Sequence, residues 1–285
     1  MPMQHLTGFA PLAERYQAFI LDLWGVIHDG VSPYPGAIDC LRRLRAAGKP
    51  AVLLSNAPRR VYIAQRSMRA MGIADDLYTG ILTSGEATHN MLRDRTDPWF
   101  ARLGNRVYHL GPERDRNIME NLPLTHMDRP SAATFVLNTG ADARRSLTEV
   151  AAYEDLLQQC RAADLPMVCA NPDLEVIRGG IRELCAGALT RRYEALGGTA
   201  RWIGKPDPAI YGPVLDMLNT PKHQILAVGD ALRTDVAGAA AVNVAACWVL
   251  GGIHAAELAD DPARVEAAAA AAGLNPVAAV LAFVW

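Results

Sequence analysis

The sequence predicts an α/β protein: a doubly wound parallel sheet forming a Rossmann-like core, with a smaller α/β unit inserted into it. Three observations lead there. Four short apolar runs, "AFILDLW" (18–24), "PAVLLSN" (50–56), "QILAVGD" (224–230) and "AACWVLGG" (245–252), have the length and the branched or aromatic content of strands buried on both faces. Helical patterns separate several of these runs, and strands alternating with helices imply right-handed crossovers and a parallel sheet between helical layers. Between about 98 and 186 the texture changes, with new strand-like runs and a helix of their own.

The elements follow in chain order. After Pro35 and Gly36, "AIDCLRRLRAAGK" places Ile38, Leu41 and Leu44 on one helical face and closes at Gly48, where a left-handed residue ends a helix cheaply. Pro58 fits the first turn of a second helix that carries Val61, Met68 and Met71 inward and stops at Gly72. Within the insert, "NRVYHLGP", "SAATFVLNTG" and "LPMVCANPD" read as strands, and a helix near 146–162 presents Leu147, Val150, Leu156 and Leu157. The expected division is therefore 1–97 for the first part of the core, 98–186 for the insert and 187–285 for the rest. "ARVEAAAAAAGLN" and "PVAAVLAFVW" at the C-terminus are both expected to be helices packed on the core.

Composition narrows the function. Of 285 residues, 51% are hydrophobic and the formal net charge is −2, with arginines dispersed, so neither a nucleic-acid stripe nor an acidic tail is indicated. The five cysteines (Cys40, Cys160, Cys169, Cys185 and Cys247) form no C-x-x-C pair and read as reduced core thiols. No apolar run reaches the roughly 20 residues of a membrane span, and "MPMQHLTGFAPLAERYQ" lacks the plan of a signal peptide. A cytoplasmic protein with neither a membrane nor a nucleic-acid partner is expected.

In an open parallel sheet, ligands sit at the carboxyl ends of the strands, where loops and helix N-termini converge. Three of the runs end there in polar residues: Asp22, Ser55 with Asn56, and Asp230, while Lys205 follows "RWIG" on the way back from the insert. Any one of these could be a helix cap or a turn former. Together they suit phosphoryl transfer. A carboxylate can attack phosphorus, carboxylates hold Mg²⁺, and a hydroxyl, an amide and an ammonium neutralise the phosphoryl oxygens.

In order and spacing these segments resemble the haloacid dehalogenase superfamily, in particular its subclass IIA phosphatases with a type II cap (the NagD-like or nitrophenylphosphatase-like branch). The first motif looks like "DLWGVIHDG" with "YPGA", the second like "LLSNAPRR", the third like "IGKPDPAIY" and the fourth like "AVGDALRTDVAGA"; the insert supplies "CANPDLEVIRGG", similar to the Asn-Pro-Asp segment of that branch. The resemblance implies a cap domain over the core and Asp22 as a nucleophile that forms an aspartyl-phosphate. It implies Ser55, Asn56 and Lys205 at the phosphate. Mg²⁺ would be held by Asp22, the Trp24 backbone carbonyl, Asp230 and Asp235, although Asp235 could instead serve the dipole of a helix first turn. Asn171 and Asp173 of the cap would select a small phosphorylated metabolite, and caps of this branch imply a homodimer.

One position departs from the pattern. The phosphatases of the family place a second Asp two residues after the nucleophile, as general acid and base; here it is Trp24, whose indole does not ionise usefully. His28 and Asp29 are the nearby groups that could substitute, unless they serve the loop structurally. Two alternatives stay open at this point. One is a non-catalytic protein that binds a phosphorylated metabolite; the other is a dehalogenase- or phosphonatase-like hydrolase, whose relatives also lack the second Asp. Against the latter stands the acidic pair in "GDALRTD".

Overall fold

The computed structural model describes residues 3–252 and 261–285. Its core is a seven-stranded sheet in which every neighbouring pair is parallel. The strands are β1 (Gln4–Leu6), β2 (Ala18–Leu21), β3 (Ala51–Ser55), β4 (Gly80–Thr83), β12 (Ile225–Gly229), β13 (Ala245–Val249) and β14 (Ala278–Val280), in the order β1-β14-β13-β12-β2-β3-β4. The chain leaves β2 toward β3 and β4 and later returns on the other side through β12. The boundary between β2 and β12 is thus the switch point at which such sheets bind ligands.

Strand residues alternate between two separate hydrophobic cores, as the period of two requires. Ala18, Ile20, Val52, Leu54, Ile225 and Ala227 face one core, while Phe19, Leu21, Leu53, Leu226 and Val228 face the other. Both faces are covered, which is why the runs read as continuous apolar segments. Helices α1 (Ala10–Arg15), α2 (Ala37–Ala46) and α3 (Val61–Ala70) connect the first strands, and α4 (Ser84–Asp94) and α5 (Pro98–Ala101) lead out of β4 into the insert. Gly48 and Gly72 close α2 and α3 with φ of +68° and +82°, as expected. Pro58 lies ahead of α3 rather than in it. The first free N–H groups of that helix are taken by distant side chains, Arg60 N–H by Asn117 Oδ1 and Val61 N–H by Glu86 Oε2, which fixes its start.

The insert forms a second, five-stranded sheet of β5 (Arg106–Leu110), β6 (Thr125–His126), β7 (Phe135–Asn138), β8 (Met167–Cys169) and β11 (Ala200–Trp202), ordered β11-β8-β7-β5-β6. Between β8 and β11 lie a two-stranded hairpin, β9 (Glu175–Arg178) and β10 (Ile181–Leu184), and α7 (Ala186–Ala195). Phe135, Leu137 and Val168 of this sheet join one core of the main sheet, and its other face is closed by α6 (Glu154–Ala162) and α7. The second sheet therefore extends to residue 202, past the expected boundary at 186; a three-residue strand after α7 gives too short a signal to be read as part of the insert. The helix expected near 146–162 begins as a tight turn at Val150–Tyr153, because the Tyr153 hydroxyl braces the preceding loop through Asp142 N–H and Ser146 O.

From the cap the chain passes through α8 (Tyr211–Leu218) to β12, through α9 (Ala237–Ala241) to β13, and through α10 (Pro262–Ala271) to β14. The "ARVEAAAAAAGLN" segment is a helix as expected. "PVAAVLAFVW" is not: Ala278–Val280 is β14, inserted between β13 and β1. Alanine favours helix in isolation, but at this site Ala278, Ala279 and Val280 are wholly buried between two parallel neighbours, and tertiary pairing overrides propensity. Phe283 then packs against Phe9 with ring centroids 4.8 Å apart. All five cysteines are buried and unpaired. Among the described residues no helix is long and apolar enough to cross a membrane.

Candidate active site

Adjacency of β3, β2 and β12 sets the site. Leu21 pairs with Leu53 on one side and Val228 on the other, and Asp22 N–H donates to Val228 O at 2.9 Å, carrying the ladder one residue further. Asp22, Ser55 and Asp230 therefore emerge abreast from three neighbouring strands. Asp230 is seated by a buried indole, since Trp248 Nε1–H donates to its carbonyl at 2.9 Å. Two glycines make room for its carboxylate: a Cβ on Gly25 or Gly252 would stand 1.9 or 2.1 Å from Oδ2. Asp235 sits in a widened π-type turn, Leu232–Val236, ahead of α9, where its Oδ2 accepts from Ala231 N–H at 3.1 Å. Such turns recur at functional sites because they re-aim a side chain.

Lys205 arrives from the other direction. Its ammonium donates to Asp22 Oδ1 at 2.7 Å, Asp235 Oδ1 at 2.6 Å and Leu54 O at 3.1 Å, with the residue 3% exposed. Asn56 braces the same segment, accepting from Lys205 N–H at 2.8 Å and donating from Nδ2 to Asp173 Oδ1 at 2.9 Å. Oxygen atoms from Asp22, Asp230 and Asp235 all lie within 4.8 Å of one another. Three buried carboxylates against one ammonium leave a surplus of negative charge, and hard oxygen ligands at this spacing suit a divalent cation.

Burial shapes the electrostatics. It pushes the Asp22 carboxyl well above the usual carboxylate range, against the pull of Lys205 and with a further push from Asp235 and Asp230. Burial would lower Lys205, but Asp22, Asp235 and Asp173 outweigh it and hold the ammonium well above its ordinary value. Asp173 is raised, chiefly by burial.

A cavity of about 240 Å³ opens over this cluster. Asp22, Trp24, Asp173, Lys205, Asp230 and Asp235 line it, and so do Tyr34, Arg233 and the cap residues Leu174, Glu175, Val176 and Ile177. The other expected site residues stand back from the wall. Ser55 is 1% exposed, its Oγ accepting from Ala57 N–H at 3.2 Å, and Asn56 acts as the brace just described. Asn171 lines a neighbouring cavity and accepts from Asp173 N–H at 3.0 Å, which shapes the Asn-Pro-Asp turn.

His28 and Asp29 do not line the cavity either. His28 Nδ1 accepts from Gly30 N–H at 3.0 Å, and Asp29 Oδ1 accepts from Val31 and Ser32 N–H at 2.9 and 2.7 Å, so both organise the loop after Trp24. Burial lowers the His28 pKa to about 4. The unfolded chain protonates near 6.5 while the native imidazole stays neutral, so this contribution to stability is intact above pH 6.5 and is lost as pH falls toward 4. The loss amounts to about 3 kcal/mol. In denaturant unfolding at pH 7 and pH 4, His28→Asn, which keeps an acceptor for Gly30, is expected to lose about 3 kcal/mol less than the wild type. Equal losses in the two proteins would contradict this.

Sequence reading missed Tyr34, Arg233 and the hairpin. Arg233 donates to Pro172 O at 2.6 Å and ties core to cap, while Arg178 of β9 lays its guanidinium 4.8 Å from the Trp24 ring centre. The hairpin had a visible signal: "EVIRGGIREL" sets a Gly-Gly pair between two strand-like runs, and Gly179 and Gly180 have the positive φ that such a turn needs.

A carboxylate cluster at the switch point of a doubly wound sheet, roofed by an inserted domain, places the protein among capped hydrolases. The chain belongs to the haloacid dehalogenase-like hydrolase family. Family models described as haloacid dehalogenase-like hydrolase and HAD-hydrolase-like match residues 19–125 and 202–276. The structure of a haloacid dehalogenase-like hydrolase from Brucella suis 1330 is 32% identical, with a TM-score of 0.84 over 98% of this chain and 100% of that one. Chronophin from Homo sapiens is 28% identical over 229 residues, 78% of this chain and 77% of chronophin. Acid sugar phosphatase from Staphylococcus haemolyticus is 25% identical over 247 residues, covering 84% of this chain and 87% of the relative.

Proposed function

We propose that the protein is a Mg²⁺-dependent phosphatase that hydrolyses a small phosphorylated metabolite in the cytoplasm, with Asp22 as nucleophile. One observation carries the reading: the Lys205 ammonium bridges Asp22 and Asp235 on the floor of the cavity, beside a three-carboxylate cluster. Phosphatases among the relatives support it.

In this reading Asp22 Oδ attacks phosphorus and forms the aspartyl-phosphate. Lys205 holds a phosphoryl oxygen, and Ser55 and Asn56 shape and serve the same pocket. Asp22, Asp230, Asp235 and the Trp24 carbonyl would hold Mg²⁺, which would offset the charge of the transferring phosphoryl group. Asp173 of the cap faces the substrate side with Asn171 shaping its turn, and a homodimer is the expected assembly. The core span before the cap is 1–97, as the sequence suggests, with the cap running on through β11.

The test is phosphate release from p-nitrophenyl phosphate after dialysis against a chelator. Turnover is expected to disappear and to return with added Mg²⁺; activity indifferent to the chelator would refute the metal assignment. A second reading, ligand binding without turnover, rests on Trp24 alone. Calorimetric, Mg²⁺-linked binding of a phosphate ester with no product over hours would favour it.

A further inference from the structure

A second, smaller cavity of about 50 Å³ adjoins the one over Asp22, and Trp24, Asp173 and Val176 line both. Trp24 is a fixed part of that partition. A Cβ on Gly30 would lie 2.0 Å from the indole Cη2, His28 packs against the ring edge-on with centroids 5.2 Å apart, and the Arg178 guanidinium lies over it. Beyond the partition the lining changes from carboxylates to guanidinium groups. Arg59 comes from the loop after β3, Arg114 from the cap segment after β5 and Arg178 from β9 of the hairpin.

These three cations are incompletely answered. Arg178 Nε donates to Glu183 Oε2 at 3.1 Å. Arg59 Nε faces Asp115 Oδ1 at 3.5 Å, an ion pair too long for a hydrogen bond, and both atoms are buried with no hydrogen-bond partner. The Arg114 guanidinium makes neither an ion pair nor a hydrogen bond among the described residues. Asp173, the remaining acid on the wall, is turned to Asn56 Nδ2 at 2.9 Å. Burial raises the Asp115 carboxyl against the pull of Arg59, Arg114 and Arg178 together, so all three stand within electrostatic reach of one point. A tie between core and cap would pair its charges one to one and bond them; this cluster keeps a surplus cation and unspent N–H donors.

The space limits what can answer them. A volume of about 50 Å³ exceeds the roughly 10–15 Å³ that one water needs and falls well short of the about 150 Å³ that holds benzene. Guanidinium forks suit a planar carboxylate or a phosphate. We propose that this second cavity is an anion subsite, and that the substrate carries, besides the phosphate that reacts at Asp22, a second anionic group, a carboxylate or another phosphate, received by Arg59, Arg114 and Arg178. This rests on the phosphatase reading and names a substrate class for it, an ester with a negative charge at each end. The body of the substrate lies against Trp24, and an ester without the second charge occupies the first cavity alone.

The experiment compares esters matched except for the second anion, with the wild-type enzyme and Mg²⁺: 3-phosphoglycerate against glycerol 3-phosphate, 4-phosphoerythronate against erythritol 4-phosphate, and fructose 1,6-bisphosphate against fructose 1-phosphate. The first two pairs read a carboxylate at two lengths, and the third reads a second phosphate. In at least one pair kcat/KM is expected to be about 10- to 100-fold higher for the doubly anionic member, the gain that charge-assisted hydrogen bonds supply. Arg114→Gln and Arg178→Gln are each expected to lower that ratio about tenfold. Arg114 is exposed and unpaired, so the result does not hang on a variant folding. A ratio near one in every pair, or a ratio that both variants leave intact, would overturn the proposal. The same pairs are titrated by calorimetry. If no ester releases phosphate, p-nitrophenyl phosphate included, the phosphatase reading falls, and the ratio of affinities decides the subsite by the same criteria.

Discussion

Replacing Asp22 by Asn is expected to reduce phosphate release by about 10⁴-fold or more, because an amide cannot form the acyl phosphate. The fold should survive, since an Asn carbonyl can still accept from the Lys205 ammonium, which keeps its contact with Asp235 at 2.6 Å. Stability should move the other way from activity. With its carboxyl pushed up by burial, Asp22 stabilises the metal-free protein only when protonated. That contribution is full below the unfolded carboxylate value near 3.9 and is lost as pH rises through the folded value. At pH 7–8 in chelator, Asp22→Asn should therefore unfold about 1 kcal/mol later than the wild type, the exchange of stability for activity common at catalytic sites. Retained turnover would dismiss Asp22 as nucleophile. A less stable Asn variant would dismiss the charge argument.

Lys205→Met should damage both properties. It removes the cation that meets the phosphoryl oxygens, at a cost of about 10²- to 10³-fold in kcat. It also leaves Asp22 and Asp235 buried without their counter-charge, and stripping one partner from a buried ion pair typically costs about 3–5 kcal/mol. For a chain of this size the melting midpoint should fall by roughly 10 °C. Added Mg²⁺ is expected to restore part of the midpoint and none of the turnover, because a divalent cation held by the carboxylates would relieve their repulsion but would not replace the ammonium at the phosphoryl oxygens. Measuring melting and phosphate release with and without Mg²⁺ separates the two roles; recovery of both together would make Lys205 only a structural counter-ion.

The parts of this protein that sequence reading captured are those in which one residue's chemistry dictates its surroundings. Asp22 and Asp230 were legible because a charged residue at the end of a fully buried strand has few reasons to be there, and the structure brings both to one cavity with Lys205. The doubly wound core was legible because β2, β3, β12 and β13 are buried on both faces and so read as unbroken apolar runs. β14 was not, because its alanines carry helix propensity and only its two neighbours make it a strand. Nor were β1 and β11, at three residues each, above the noise of composition. The roles of His28 and Asp29 depended on which backbone N–H groups they meet, and that is settled by a loop conformation that no spacing rule conveys. Trp24 was recognised as an exception, but its three-sided packing against Gly30, His28 and Arg178 needed coordinates.

The placement of β14 governs the order in which the molecule can be completed. Its register sets Gln4 opposite Ala278, so β1 pairs with a strand that lies far later in the sequence than the strands carrying the site. At roughly 5–20 residues per second, β1 waits on the order of tens of seconds after leaving the ribosome before its partner exists. The strands that carry Asp22 and Ser55 can assemble meanwhile, but the flank of the sheet beyond β13 is open until β14 emerges. A growing chain therefore carries an unpaired strand edge at β13 until β14 emerges and covers it.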